Sequence, residues 1–410
     1  MTDLDRQVPA GVVSSLVSDA ERLRRVVARA RAGLVERELL VEAVVLCAVA
    51  GEHLLVVGPP GTAKSQAVRR VASGLGGRYF EYLLGRFTEP NEVFGPVDLR
   101  RLREGIVEVE TAGMLPEADI AFLDEVFLGS TAILNTLLGI LNERTFRRGS
   151  TAMTCPLRVC VGATNVLPED PALAAFADRF LARVFVEPVA DARLEEMLEA
   201  GWAGGGERGE PGAGITKLGA GVAELGAGMA DGGDPGLLAA VDRLSAAAAD
   251  CDLRAVQSVL AAAVRRLRAA GVQLSDRRAV RAQRLIAAAA VLDGRSAATV
   301  ADLWVLPLVA PTGDAQAGAQ EALADLMAQA RSATLPFAAE ELSRGLRARA
   351  QRLVESGNVL LEGFAESGPE GDERLRVEAT LREIDACFAE DDLPEDLAQV
   401  RARLMAAVRA

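Results

Sequence analysis

The chain has 410 residues, 50% of them hydrophobic but only 4% aromatic, and a formal net charge of −13. That length leaves room for two or three domains with ample core, while the acidity argues against a broad nucleic-acid-binding face. A single histidine and five scattered cysteines (Cys47, Cys155, Cys160, Cys251 and Cys387) without a C-x-x-C pair argue against a zinc site. The cysteines read instead as reduced core thiols of a cytosolic protein. The N-terminus, MTDLDRQVPA, has no basic-then-apolar signal segment, and no uncharged apolar run of spanning length follows. A cytoplasmic chain with no membrane span is therefore expected.

Residues 14–50 carry the pattern of two helices. Strand-like runs then alternate with helical ones, at His53–Val57, Tyr79–Leu84, Ile120–Leu123, Arg158–Ala163 and Arg183–Val186. That alternation predicts an α/β fold with a mostly parallel sheet covered by helices. The stretch 201–236 is so rich in glycine that ordering it would cost more backbone entropy than burial returns, which predicts a flexible insertion or linker. Helices are expected at Leu237–Ala249, Leu253–Ala270, Arg277–Leu292 and Ala298–Leu306. Near the C-terminus, Val377, Leu381, Ile384 and Phe388, then Leu397, Val400 and Leu404, recur at three-and-four spacing. They read as amphipathic helices closing a small bundle rather than as a coiled coil.

The first strand-like run opens into the first piece of chemistry. After Leu54–Val57 come Gly58-Pro59-Pro60-Gly61-Thr62-Ala63-Lys64-Ser65, and Gln66 continues into a helical pattern. This is nearly the P-loop G-x-x-x-x-G-K-[ST], with Ala63 in place of the second glycine. Such a loop wraps phosphates with backbone N–H groups and aims the positive end of the following helix at them. Lys64 would reach the outer phosphates of ATP and Ser65 would ligate Mg²⁺. Alanine fits at 63 if the backbone there does not need a positive φ.

Downstream, the apolar run Ile120–Leu123 ends in Asp124-Glu125. A buried strand delivering two acids at its tip needs compensation, which a Mg²⁺–phosphate site supplies. Asp124 would hold the metal with Ser65, and Glu125 would orient and activate the attacking water. In the next strand-like run, Asn165 ends LRVCVGATN, where an amide can position that water or touch the γ-phosphate.

These three elements resemble the AAA+ ATPases and, within them, the MoxR family, in particular its RavA-like branch. GLVERE before the core, FTEPNEVFGPVDL at 87–99, LDEVFLGSTAILNTLLGILNERTFRRG at 123–149 and LSDRRAVRAQRLIAAAAVLDGRSA at 274–297 carry the likeness. It covers roughly residues 14–312 outside the glycine-rich stretch and fades over the last hundred. It implies an AAA+ P-loop αβα sandwich over 1–200, a helical lid over 237–312 and an additional C-terminal helical region over 313–410. By position, Arg179 in FADRFLARV would be the arginine finger reaching a neighbouring subunit's nucleotide, with Arg183 as rival. Arg277 in LSDRRAV would be the lid arginine at the γ-phosphate, with Arg278 as alternative, and Ser275 or Asp276 would cap its helix.

The resemblance also reads two insertions as β-hairpins facing a ring's pore, one between Thr88 and Met114 and one in RTFRRGSTAMTCPLRV. Their tips, Arg101-Leu102-Arg103 and Arg147-Arg148, are candidate contacts with an acidic partner segment, with solvated loop charges as the alternative. It implies a homo-oligomeric ring, expected to be a hexamer, that remodels, activates or loads a cofactor into a client protein with a von Willebrand factor A (vWA) domain adaptor. The competing readings are a nucleic-acid-dependent motor, which acidity and the lack of stacking aromatics disfavour, and the motor subunit of a metal chelatase.

Overall fold

The computed structural model describes residues 10–190, 193–204, 236–363, 372–388 and 393–409. The strands in chain order are β1 (Leu54–Val57), β2 (Tyr79–Leu83), β3 (Ile120–Asp124), β4 (Thr145–Arg148), β5 (Thr151–Thr154), β6 (Val159–Thr164) and β7 (Ala182–Phe185). Five of them form one sheet in the order β2-β3-β6-β1-β7, and every pairing in it is parallel. Each coincides with a strand-like run of the sequence to within a residue or two. Parallel strands need crossovers, and the helices that supply them cover both faces.

Alternation along the strands divides the core. Leu54 and Val56, with Ile120, Phe122, Val159 and Val161, face one layer, where helices Glu38–Ala50 and Lys64–Leu75 and the lid helices pack. Leu55, Ala121, Leu123 and Cys160 face the other, against Ile133, Leu137 and Ile140 of helix Thr131–Glu143. Helix Glu38–Ala50 is apolar almost all round and buried accordingly. Its one internal acid, Glu42, is fully buried and accepts from Arg31 Nη1 at 2.8 Å and from the Ala338 backbone N–H at 2.7 Å. Cys47, Cys155 and Cys160 are buried free thiols.

Three expectations change. The insertion between Thr88 and Met114 is not a plain hairpin. Its legs meet at a single antiparallel bridge, Val97 to Val109, and its tip is a short helix, Leu99–Arg103. Asp98 caps that helix, accepting from Arg100 N at 2.7 Å and Arg101 N at 3.3 Å, and this local capping outweighs the alternation at Ile106 and Val107. Arg101 at that tip is paired with Glu108 at 2.8 Å and Glu104 at 3.2 Å. The second insertion is the hairpin β4–β5, turning through Gly149, whose φ of +59° suits glycine. The two insertions hold each other: Ser150 N donates to Val107 O at 2.8 Å and Val109 N to Thr151 Oγ1 at 2.8 Å.

The run expected as helix Ala298–Leu306 is a 3₁₀ segment, Val300–Val309, started by a Thr299–Asp302 capping box. It contains Pro307, which lacks the N–H a longer α-helix needs. Helix Leu194–Gly204 runs into the glycine-rich stretch, whose residues 205–235 lie outside the described residues.

Lid helices Leu237–Ala249, Arg254–Ala269 and Asp276–Leu292 form within a residue of the sequence reading. Packing changes character near residue 345. Ala319, Leu323, Leu335, Ala338 and Leu342 still join the main core. Helices Leu346–Gly363, Asp372–Cys387 and Glu395–Arg409 then build a second, small core from Leu353, Val377, Ile384, Phe388, Leu397, Val400 and Leu404. No helix among the described residues is long and apolar enough to cross a membrane.

Candidate functional site

Sheet order brings the motifs together. Because β6 lies between β1 and β3, the loop after Val57, the acids ending β3 and the asparagine after Thr164 all emerge side by side at one edge. Gly58 packs so closely that an added Cβ would sit 2.1 Å from Val186 O, so no larger residue fits there. Gly61, at φ +79°, faces open space instead, with nothing within 4 Å of an added Cβ. Thr62 Oγ1 donates to Pro59 O at 2.9 Å and closes the turn. The Lys64 side chain is buried and curls back over the loop, its ammonium donating to Gly58 O at 2.6 Å and Pro59 O at 3.1 Å.

Ala63 departs from the condition set by the sequence. It adopts φ +57°, ψ +25°, the left-handed conformation that the missing glycine would have taken without strain. For an L-residue that conformation costs about 1–2 kcal/mol, partly offset by alanine's smaller entropy loss on folding. Ala63→Gly is therefore expected to fold with an unfolding midpoint about 1–3 °C higher. A lower midpoint by calorimetry would show that the alanine is not strained.

At the tip of β3, Leu84 N donates to Asp124 O at 2.9 Å, and Asp124 Oδ1 accepts from the Glu125 N–H at 3.0 Å. Glu125 itself has φ +49°, a kink that turns its side chain out of the strand direction. Its Oε1 accepts from Asn165 Nδ2 at 2.6 Å. Asn165 thus meets Glu125 directly, a contact the sequence did not announce. Burial, and next the neighbouring Asp124, push the Glu125 carboxyl above the usual carboxylate range, while Lys64 pulls it back. Burial lowers Lys64 in turn, opposed by Asp124 and Glu125. These groups share one field.

Beside the loop lies a cavity of about 540 Å³, within the range of small-molecule sites. Pro59 to Ala63 and Gln66 form one wall; Leu34, Val35, Pro188, Leu194 and Met197 give an apolar one. Arg37, which the sequence reading left without a role, is 4% exposed and ties these walls together. Its Nε donates to Thr62 O at 2.7 Å and its Nη2 to Glu187 O at 2.8 Å. The adjacent Glu36 accepts from Ala190 N at 3.1 Å. GLVERE is therefore the clasp between the loop and the segment leaving β7. The only signal for it was a charged pair following an apolar run.

The arginines lie elsewhere. Arg179 and Arg183 flank the start of β7, and the lid helix Asp276–Leu292 meets the sheet at that same opposite edge. Strands rise about 3.3 Å per residue, so β7 alone separates that edge from the loop by roughly 10 Å. Arg183 is 7% exposed, donates to Pro311 O and is pushed down to about 10 by burial, so it serves as an internal tie. Arg179 is half-exposed, with its Nη1 on Ala175 O at 3.3 Å. Arg278 is buried and bonds Val309 O, Asp178, Phe180 O and Leu181 O. Arg277 is exposed and touches Asn142 Oδ1 at 2.9 Å. The contact with Asn142 places Arg277 away from its own P-loop.

The comparisons with known proteins agree with this architecture. A family model described as the MoxR domain in the MoxR-vWA-beta-propeller ternary systems matches residues 21–219, and an AAA lid domain model matches 256–315. Two uncharacterized proteins of Methanocaldococcus jannaschii are each 44% identical over 155 residues, 38% of this chain and 42% and 41% of theirs. Chaperone MoxR1 of Mycobacterium tuberculosis is 26% identical over 184 residues, 44% of this chain and 48% of that one. The chain thus spans less than half the length of these curated relatives. The crystal structure of a candidate ATPase from Cytophaga hutchinsonii is similar at TM-score 0.57 and 14% identity, covering 78% of this chain and 97% of that one. That likeness speaks for the fold alone. With the MoxR domain and the AAA lid matched in order along one chain, the protein is a member of the MoxR family of AAA+ ATPases.

Proposed function

We propose that the chain hydrolyses ATP with Mg²⁺, in a ring whose sites are each completed by the next copy, and uses that cycle to remodel a client protein. The observation that carries the proposal is the convergence of Lys64, Asp124, Glu125 and Asn165 on one edge beside a cavity of suitable size. The fit to the nucleotide rests on the open space over Gly61 and the curled Lys64, which has donors to give once phosphate oxygens replace the loop carbonyls. Ser65 and Asp124 offer hard oxygen donors of the kind Mg²⁺ prefers. The bound ion would neutralise charge building on the phosphates. The chain's own work is to seat the triphosphate on the loop amides, hold the base in place through Asn165, and keep water out of the apolar half of the cavity.

Ring assembly is supported by Arg179 and Arg277, which share the edge away from their own pocket. The vWA adaptor is supported by the description of the matching domain, which comes from three-component systems containing vWA and β-propeller proteins. Within the family we keep the RavA-like affinity of the quoted segments, a hexamer and a cytoplasmic setting as parts of the same proposal. Phosphate release from ATP, measured with and without Mg²⁺ over a range of protein concentrations, is the direct test. Turnover per subunit should depend on the metal and rise with assembly. Absence of phosphate release at every concentration would overturn the reading.

The clasp adds a prediction. Arg37→Ala removes the arginine donor from three carbonyls, Glu36 O, Thr62 O and Glu187 O, and frees the loop from the β7 exit, at about 1–3 kcal/mol. Mg·ATP affinity by calorimetry should fall about tenfold or more. Unchanged affinity would show that Arg37 does not shape the pocket.

A further inference from the structure

Two arginines of the lid helix Asp276–Leu292 grip the turn that carries Arg179. Arg278 donates from Nη1 to Asp178 Oδ1 at 3.1 Å and Phe180 O at 3.3 Å, and from Nη2 to Leu181 O at 2.6 Å. Arg281, three residues on along the lid helix, donates from Nη2 to Arg179 O at 3.2 Å. The same guanidinium grips Glu52, through Nε at 3.2 Å and through Nη2. Glu52 is fully buried immediately before His53 and β1, so its carboxylate is fixed to the sheet. Arg281 therefore joins three elements at one point: the sheet edge, the turn of Arg179 and the helix that begins with Arg277. Arg281 Nη1 and Arg179 Nε are both buried without an acceptor among the described residues. Buried N–H groups left so are costly, which suits a site whose acceptors arrive from outside.

The Arg179 side chain has little of its own to aim it, since its Nη1 bond runs back to the preceding helix. Its direction therefore follows its backbone, which Arg278 holds on either side and which Arg281 holds at the Arg179 carbonyl itself. We propose that Arg281 is a positioning residue: through the Arg179 carbonyl it locks the finger turn to the lid helix, so Arg179 and Arg277 move as one body. A lid movement in one copy then shifts both cations at the neighbour's phosphates together. This rests on the reading that Arg179 serves a second copy's nucleotide.

Arg284 supplies the internal control. It reaches Glu52 at 3.2 Å from the same helix, its side chain is 65% exposed, and its bond is to Glu52 rather than to the turn. The full chain, assembled and with Mg·ATP, is compared as Arg281→Gln, Arg281→Lys, Arg284→Gln, Arg179→Ala and the Arg179→Ala/Arg281→Gln double variant. Thermal midpoints are recorded for each. A misplaced reacting group costs up to about 100-fold, so both Arg281 variants should lower kcat about 10- to 100-fold with KM held within about twofold. Arg281→Lys keeps a charge on Glu52, so its loss of turnover is not loss of folding. Arg284→Gln should match the parent. The double variant should be no slower than Arg179→Ala alone, because Arg281 acts through Arg179.

Two results overturn the inference alone: Arg179→Ala slows turnover while Arg281→Lys retains it, or the double variant shows the full product of the two losses. If Arg179→Ala itself leaves kcat unchanged, the shared-site reading falls and this inference falls with it.

Discussion

Glu125→Gln is expected to bind Mg·ATP with near-parent affinity and to release phosphate at about a hundredth of the parent rate or less. A general base contributes about 10²–10⁴-fold. The substitution changes little else, because glutamine keeps a carbonyl oxygen where Oε1 accepts from Asn165 Nδ2 at 2.6 Å. It also removes a negative charge beside Asp124, where burial and that neighbour already raise the Glu125 carboxyl. Folding and nucleotide affinity should therefore be preserved or improved. Calorimetry for binding and phosphate release for turnover separate the two effects. Unchanged turnover would remove Glu125 from the mechanism and leave its bond to Asn165 as packing. The stalled form also serves to find the client, since it should hold partners that the parent releases.

Arg179→Ala is expected to lose about 10³-fold in turnover while binding nucleotide normally, the lower end of what an arginine supplied in trans contributes. The contrast is Arg183, four residues on. Arg183 is buried, bonded to Pro311 O and adjacent to Arg278 in charge, so removing it should lower the thermal midpoint rather than the rate at an intact site. Steady-state kinetics with midpoints for both variants distinguish the finger from the tie. A large loss of turnover in a well-folded Arg183→Ala protein, with Arg179→Ala active, would exchange their roles.

Those two arginines show where sequence reasoning stops. The parallel sheet was legible because buried strands write themselves as short apolar runs, and β1, β3, β6 and β7 each appear within two residues of the run that announced them. Asp124, Glu125 and Asn165 were legible because each stands at the end of such a run, and a parallel sheet aligns run ends; Lys64 was legible from the P-loop pattern that follows β1. Arg179 against Arg183, and Arg277 against Arg278, were not separable. Each pair lies within one local pattern, and only the meeting of the lid helix with the β7 entrance decides which guanidinium is buried. The same holds for Arg37, whose acceptors Thr62 O and Glu187 O are 25 and 150 residues away. Ala63 was misjudged for a different reason. A backbone angle is a property of the closed loop, and the sequence shows only that a residue other than glycine must bear it. The first insertion failed on competition between local signals, where the Asp98 cap prevailed over apolar alternation.

The most direct test of the account mixes two inactive proteins. Glu125→Gln copies keep Arg179 and Arg277 but cannot turn over their own nucleotide; Arg179→Ala copies keep the pocket but lend no cation. In a randomly mixed ring, roughly a quarter of contacts pair an intact pocket with an intact arginine edge. The account predicts that equimolar mixing restores turnover to about that fraction of the parent rate. A mixture that co-assembles yet stays inactive would contradict a site shared between copies.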